Sequence, residues 1–254
     1  RIVCITFSNE AANNLLVRVQ KTLDVSGHEP VIRTFHAFSS DLLRKPGRRI
    51  DVKEDFKILD PDEAKVVLHK NLRVQPYHCK KYISSLGTAK DFGVTIDIMQ
   101  EYLHRLLARY GNSDLASKLE AMQFDLQTLH LKSKDGEKRA LVESIEELQD
   151  VISLKKFVAA WSAYEKIKSK SNYLDYADLN AFALLLLQKY PEIANEYSYV
   201  IVDEFQDTNK LQLEFLFQLA RHRNISVVGD LNQSIYRFRG AYRENFSLFK
   251  EHFG

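Results

Sequence analysis

This chain of 254 residues is short of several things that would classify it at once. Its two cysteines, Cys4 and Cys79, are too few for a disulfide framework or a cysteine-rich zinc site. The apolar run Phe182–Leu187 falls far below the roughly 18 residues that a membrane span requires. No basic segment followed by an apolar core opens the sequence, so nothing in it reads as a secretory signal. A cytoplasmic protein is expected, or a nuclear one in a eukaryote. The net charge of +2 is too small to announce a polyanionic partner. None of the nine glycines is followed by lysine, so these residues hold no phosphate loop of the form G-x-x-x-x-G-K-S/T.

What is present is an ordinary globular composition, 45% hydrophobic and 28% charged, with enough chain for one large or two modest domains. Charge is uneven locally. Arg44 to Lys90 holds twelve Lys and Arg against six Asp and Glu, an excess that a solvated face explains about as well as nucleic acid does.

Ile2–Phe7 reads as a buried strand, and Ser8 or Asn9 caps a helix with Ala12, Leu15, Leu16 and Val19 at helical spacing. Val31–Phe35 suggests a second strand and His36–Leu43 a short helix, the alternation of a parallel α/β sheet. From about Lys45 to Lys170 the strand signal fades. Asp60-Pro61-Asp62-Glu63 supplies an N-cap, a first-turn proline and an acidic third position, so a helix should run from there to about Arg73. Others fit Ile96–Tyr110 with Gly111 as the stop, Leu141–Val151 and Lys155–Ile167, with Ser133–Lys138 as a polar turn between helices. Strands return at Tyr199–Val202 and Ile225–Val228, separated by a helix that Thr208 can cap. The expected fold is therefore α/β: one parallel sheet formed by residues 1–45 and 171–254, interrupted by an all-helical insertion over 46–170.

Two segments carry the chemistry. Val200-Ile-Val-Asp-Glu-Phe-Gln-Asp-Thr-Asn209 and Val228-Gly-Asp-Leu-Asn-Gln-Ser-Ile-Tyr-Arg-Phe-Arg-Gly-Ala241 each continue a buried strand into acidic or amide groups. Open parallel sheets bind ligands at the carboxyl edge, where Asp203 and Glu204 would stand. An aspartate so placed can hold Mg²⁺, commonly through water, because a hard dication prefers carboxylate oxygen and keeps its hydration. A neighbouring carboxylate can orient and deprotonate an attacking water. Taken alone, the pair can equally end a strand and cap a helix. Gln233 offers a neutral amide that can sense a terminal phosphate without titrating. Tyr236, Phe238 and Arg239 suit a base-stacking platform, at about 1–3 kcal/mol per base, or a buried aromatic cluster beside solvated arginines.

These two segments closely resemble the Walker B segment and the third motif of the UvrD/Rep/PcrA-like DNA helicases of superfamily one. Thr6-Phe-Ser-Asn-Glu-Ala-Ala12, Thr34-Phe-His-Ala-Phe38 and Leu174-Asp-Tyr-Ala-Asp-Leu179 are similar to further motifs of the family's first motor domain. The resemblance spans both ends of the chain, and its middle corresponds by position to the family's variable helical subdomain. It implies a RecA-like P-loop NTPase core that uses ATP and Mg²⁺, with Asp203 as the metal ligand, Glu204 as the catalytic base and Gln233 contacting the γ-phosphate. Phe7, Asn9, Thr34, His36, Tyr236, Phe238 and Arg239 would line a single-strand track. Three positions depart from the pattern. Glu10 replaces a lysine, Phe238 a tryptophan and Ala177 an acidic residue.

Family members carry a phosphate loop and helix ahead of the strand matching Ile2–Phe7, and a second motor domain beyond the third motif. The expectation is accordingly a part of a helicase that translocates 3′ to 5′ on single-stranded DNA and acts at single-strand/duplex junctions. The missing second motor domain and accessory repair or replication proteins would be its partners. Without transition-state arginines, worth about 10³–10⁵ in rate, the fragment alone should hydrolyse ATP negligibly. Two alternatives stay open: a helicase–nuclease subunit of the AddA/RecB type, and a non-catalytic nucleic-acid-binding module.

Overall fold

The computed structural model describes residues 1–22, 29–111, 114–129, 135–230 and 244–254. It opens with β1 (Ile2–Thr6), α1 (Asn9–Thr22), β2 (Val31–Thr34) and α2 (Phe35–Arg44). β3 (Lys57–Leu59) leads into α3 (Pro61–Leu72), α4 (Pro76–Asp91), α5 (Ile96–Ala108), α6 (Leu115–Leu129) and α7 (Asp135–Ser171). β4 (Tyr173–Asp175), α8 (Tyr176–Lys189), β5 (Tyr199–Val202), α9 (Lys210–Leu219), β6 (Ile225–Val227) and α10 (Asn245–Phe253) follow.

Four strands form one sheet in the order β2-β1-β5-β6, every neighbouring pair parallel. Alternation along the strands sends side chains to two covered faces. Val3, Ile5, Val200 and Val202 join the main core, which includes residues of α2, α8 and α9. Cys4, Ile32 and Ile201 face the other way, against Ala12, Leu15, Leu16 and Val19 of α1. Burial on both faces explains the near-continuous apolar strands, as expected of a parallel sheet. The α/β fold read from the sequence is the one observed. Among the described residues no helix is long and apolar enough to cross a membrane.

The middle of the chain is mostly helical, with one exception to the expected all-helical stretch. β3 lies inside it and pairs in parallel with β4, Lys57 opposite Tyr173 and Leu59 opposite Asp175. Three residues are too few to show a period of two, so the strand has no signature in the sequence. Asp60 caps α3 as expected, its carboxylate accepting from Asp62 and Glu63 N–H while Glu63 reaches back to Asp60 N–H. The stretches Leu141–Val151 and Lys155–Ile167 are one helix, α7, because Ile152-Ser153-Leu154 contains neither glycine nor proline to break it. α7 also begins at Asp135, so the last four residues of the expected Ser133–Lys138 turn are helical, while 133–134 lie outside the described residues. Trp161 and Tyr164 of α7 are buried with Leu68, Cys79 and Leu86, which makes the aromatic face of this helix core.

A buried ion cluster joins α4 and α7 to the start of α8. Lys168 binds Asp175 at 2.7 Å, Glu165 at 3.0 Å and also Asp178, and Lys90 binds Glu165 at 2.8 Å, Asp175 at 3.3 Å and Asp178. Burial alone would lower the Lys168 ammonium, but the surrounding Asp178, Asp175 and Glu165 carboxylates hold it well above its usual range. The Asp175 carboxyl is held low by the two ammonium groups despite its own burial. Glu165, Asp175 and Asp178 come within 4.8 Å of one another, as in a metal cage, yet both ammonium groups bind into that cage. Charge pairing is the account of this cluster. Lys168→Met should lower the unfolding free energy by about 3–5 kcal/mol, since it leaves buried carboxylates short of a cation. Urea denaturation measures this, and a loss below about 1 kcal/mol would mean that the cluster behaves like a solvated surface pair.

Candidate functional site

All four parallel strands end at the same edge of the sheet, and the backbone there continues the ladder. Asp203 N–H donates to Ile5 C=O at 2.9 Å, Val228 N–H to Val202 C=O at 2.8 Å and Phe205 N–H to Val228 C=O at 2.9 Å. These bonds bring the end of β5, with Asp203 and Glu204, between the ends of β1 and β6. Glu204 adopts a left-handed backbone conformation at φ 52°, unusual for a residue with a side chain and costing of order 1 kcal/mol or more. That conformation turns the chain sharply out of the strand and into a short 3-10 turn, Phe205–Asp207.

Gln206 clamps this turn. Its amide nitrogen donates to Glu204 Oε2 at 2.6 Å, and its amide oxygen accepts from Asp230 N–H at 3.0 Å. One side chain therefore links the ends of β5 and β6. Gly229 leaves room for this contact: a Cβ there would lie 2.3 Å from Gln206 Oε1 and 3.1 Å from Phe205 N, so the Gln206 side chain would have to shift. Gln206 did not stand out in the sequence, where nothing signals a bond to a backbone group 24 residues away. Asp203 is half-buried and its Oδ1 accepts Glu204 N–H at 3.0 Å, while Glu204 is exposed. Asp207 is buried, and its Oδ1 has no hydrogen-bond partner; burial and the nearby Glu204 charge both raise its pKa. The donor set at this edge is oxygen from carboxylates, which fits a hard dication such as Mg²⁺.

Along the same edge, Phe7, Asn9, Thr34 and His36 line one cavity of about 560 Å³, together with Ser8, Asp41 and Tyr176. Phe7 follows β1, Thr34 ends β2 and caps α2 through its side-chain oxygen, and His36 lies in the first turn of α2. The His36 ring meets Tyr176 edge-on with centroids 5.5 Å apart. Burial lowers the His36 pKa, so the imidazole is neutral near pH 7 and offers a ring face rather than a charge. Phe35, by contrast, is plain core. Four of the residues expected in a track are thus brought together. Gln233, Tyr236, Phe238 and Arg239 lie outside the described residues.

The helix after the acidic turn is capped by Asn209, not by Thr208. Asn209 Oδ1 accepts Gln212 N–H at 2.8 Å, and Gln212 Oε1 accepts Asn209 N–H at 3.0 Å. Thr208 instead offers its C=O to the Asn245 amide at 2.5 Å. Asn209 Nδ2 donates to Asp91 Oδ1, at the end of α4, at 2.8 Å. Burial raises the Asp91 carboxyl to about 6, and the bond from Asn209 opposes that rise only in part.

A family model described as UvrD/REP helicase N-terminal domain matches residues 1–254. The chain is 31% identical over 248 residues to a probable DNA helicase II homolog of Mycoplasma capricolum, covering 95% of this chain and 29% of the relative. It is 30% identical to the ATP-dependent DNA helicase SRS2 of Saccharomyces cerevisiae, over 96% of this chain and 20% of that protein. The ATP-dependent DNA helicase PcrA of Staphylococcus aureus is 28% identical, over 98% of this chain and 29% of its own length. The chain spans less than a third of the length of each of these relatives.

Asp91 has a consequence for stability. Its folded pKa of about 6 lies above the ordinary 3.8, so ionised Asp91 costs stability above about pH 6, and the cost fades as the pH falls from 6 toward 4. Asp91→Asn removes this titration. The variant should be more stable than the parent at pH 8 by up to about 2–3 kcal/mol and should lose that advantage by about pH 4. Paired denaturant titrations at the two pH values measure the difference.

Proposed function

The chain belongs to the UvrD/REP helicase N-terminal domain family, and from that premise we propose that it is part of the first motor domain of an ATP-dependent DNA helicase. Residues 1–45 and 171–254 form the motor core in this proposal, and 46–170 the inserted subdomain. The parent uses Mg-ATP hydrolysis to move 3′ to 5′ along single-stranded DNA and to open duplex at junctions. A second motor domain closes the ATP cleft, and accessory repair or replication proteins are further partners. The observation that carries the proposal is the shared strand edge: Asp203 and Glu204 stand on it beside the cavity lined by Phe7, Asn9, Thr34 and His36.

Each residue has a chemical task. Asp203 would hold Mg²⁺, which when bound would supply neutralisation of charge on the phosphate oxygens. Glu204 takes a proton from the attacking water. Gln206, through its bond to Glu204 Oε2, orients that carboxylate without titrating. Gln233 contacts the γ-phosphate. Phe7 and the neutral His36 present ring faces to bases, while Asn9 and Thr34 supply polar contacts. Tyr236, Phe238 and Arg239 extend the track. Stacking reads every base alike, which suits a motor that must move over any sequence.

In the intact parent, Glu204→Gln should nearly abolish ATP turnover stimulated by single-stranded DNA while ATP still binds. Normal turnover in that variant would remove Glu204 from its role. Phe7→Ala should weaken single-strand binding by about 1–3 kcal/mol with little change in salt dependence, because no phosphate contact is lost. Unchanged affinity in a fluorescence titration would make Phe7 a core residue only.

A further inference from the structure

The last turn of α4 reaches two parts of the motor core with consecutive residues. Lys90 projects into the ion cluster and binds Asp175 and Asp178 at the start of α8. Asp91 accepts the amide of Asn209 at the start of α9. Between Asn209 and Glu204 the chain forms a short turn closed by backbone hydrogen bonds. Thr208 N–H bonds to Phe205 C=O at 3.2 Å, and Asp207 N–H bonds to Glu204 C=O at 3.0 Å. A single turn of five residues, 204–208, thus separates Asn209, where Asp91 binds, from the strand end at Asp203.

Folding economy does not account for this contact. Capping α9 needs only the Asn209 side-chain oxygen, which aspartate, serine or threonine would supply equally well. Among the described residues the Asn209 nitrogen bonds Asp91, a partly buried carboxylate whose ionised form is disfavoured there. We propose that Lys90 and Asp91 are positioning residues that join the helical insert to the catalytic end of β5, so that a shift of the insert passes through Asn209 to the turn bearing Glu204. This rests on the motor function proposed above and adds to it a mechanical route between subdomain and active site. Lys90 supplies the fixed anchor on α8, and Asp91 the directional contact to α9.

The test exchanges the two ends of the bond in the full-length helicase. Asn209→Asp keeps the capping oxygen but sets a second carboxylate against Asp91. Adding Asp91→Asn restores one amide facing one carboxylate, at the original net charge. Asn209→Asp should lower kcat for DNA-stimulated ATP hydrolysis about tenfold with KM for ATP changed less than about twofold, and the exchanged pair should return to within about threefold of the parent. Melting temperature is read alongside. An exchanged pair that recovers melting temperature but not kcat would show a purely structural contact and overturn the proposal. So would an Asn209→Asp variant with unaltered kcat. A parent with no DNA-stimulated turnover would instead fail the motor function itself, and this proposal with it.

Discussion

Parallel pairing of β1 with both β2 and β5 is the constraint on which the rest depends. Strands that run the same way must end at the same edge, so residues far apart in sequence are delivered side by side. The register fixes which ones: Ile5 opposite Arg33 and Val202, hence Thr6 and Phe7 next to Thr34 on one side and Asp203 on the other. Apolar burial on both faces of the sheet holds that register. A slip of one residue would exchange Val3 and Ile5 for Cys4 and Thr6 against the main core. The arrangement of the candidate site is thus a consequence of core packing two strands deep, while its chemistry sits in the loops that follow.

Around the edge, several groups near Glu204 are tied down. Gln206 spans β5 and β6, Gly229 leaves room for it, and Asn209 is fixed by its own capping box. The strained backbone at Glu204 persists because these bonds over-determine it. The helices of the middle of the chain are tied in by different means. A two-stranded sheet, β3 with β4, and the cluster around Lys90 and Lys168 bind them to the start of α8. Lysines buried among carboxylates are expensive to assemble and expensive to break, which favours one arrangement of α4, α7 and α8 over many similar ones.

Much of this was legible in the sequence wherever a local rule decides. α3 announced itself through Asp60, Pro61 and Glu63, and the sheet through its β-branched runs. Legibility failed where tertiary contact decides. β3 exists because Lys57-Ile58-Leu59 lies beside Tyr173-Leu174-Asp175, and no pattern within three residues shows that. α7 runs on through Ile152-Ser153-Leu154 because nothing there breaks a helix once it is formed, and Val151 and Ile152 pack with Leu148. Asp203 and Glu204 were conspicuous as acids after an apolar strand, whereas Gln206 and Asp91 acquire their places only through partners distant in sequence. Thr208 and Asn209 are both good caps, and the Gln212 side chain chose between them.

The central claim is that one sheet edge presents a metal-holding acid and a lane for nucleic-acid bases side by side. Anomalous diffraction from the intact protein, crystallised with Mn²⁺, a non-hydrolysable ATP analogue and a short single-stranded oligonucleotide, tests it most directly. The account requires a Mn²⁺ peak beside the Asp203 carboxylate and oligonucleotide density crossing Phe7 and His36. A metal peak remote from Asp203, or a strand bound to the opposite face of the sheet, would contradict it.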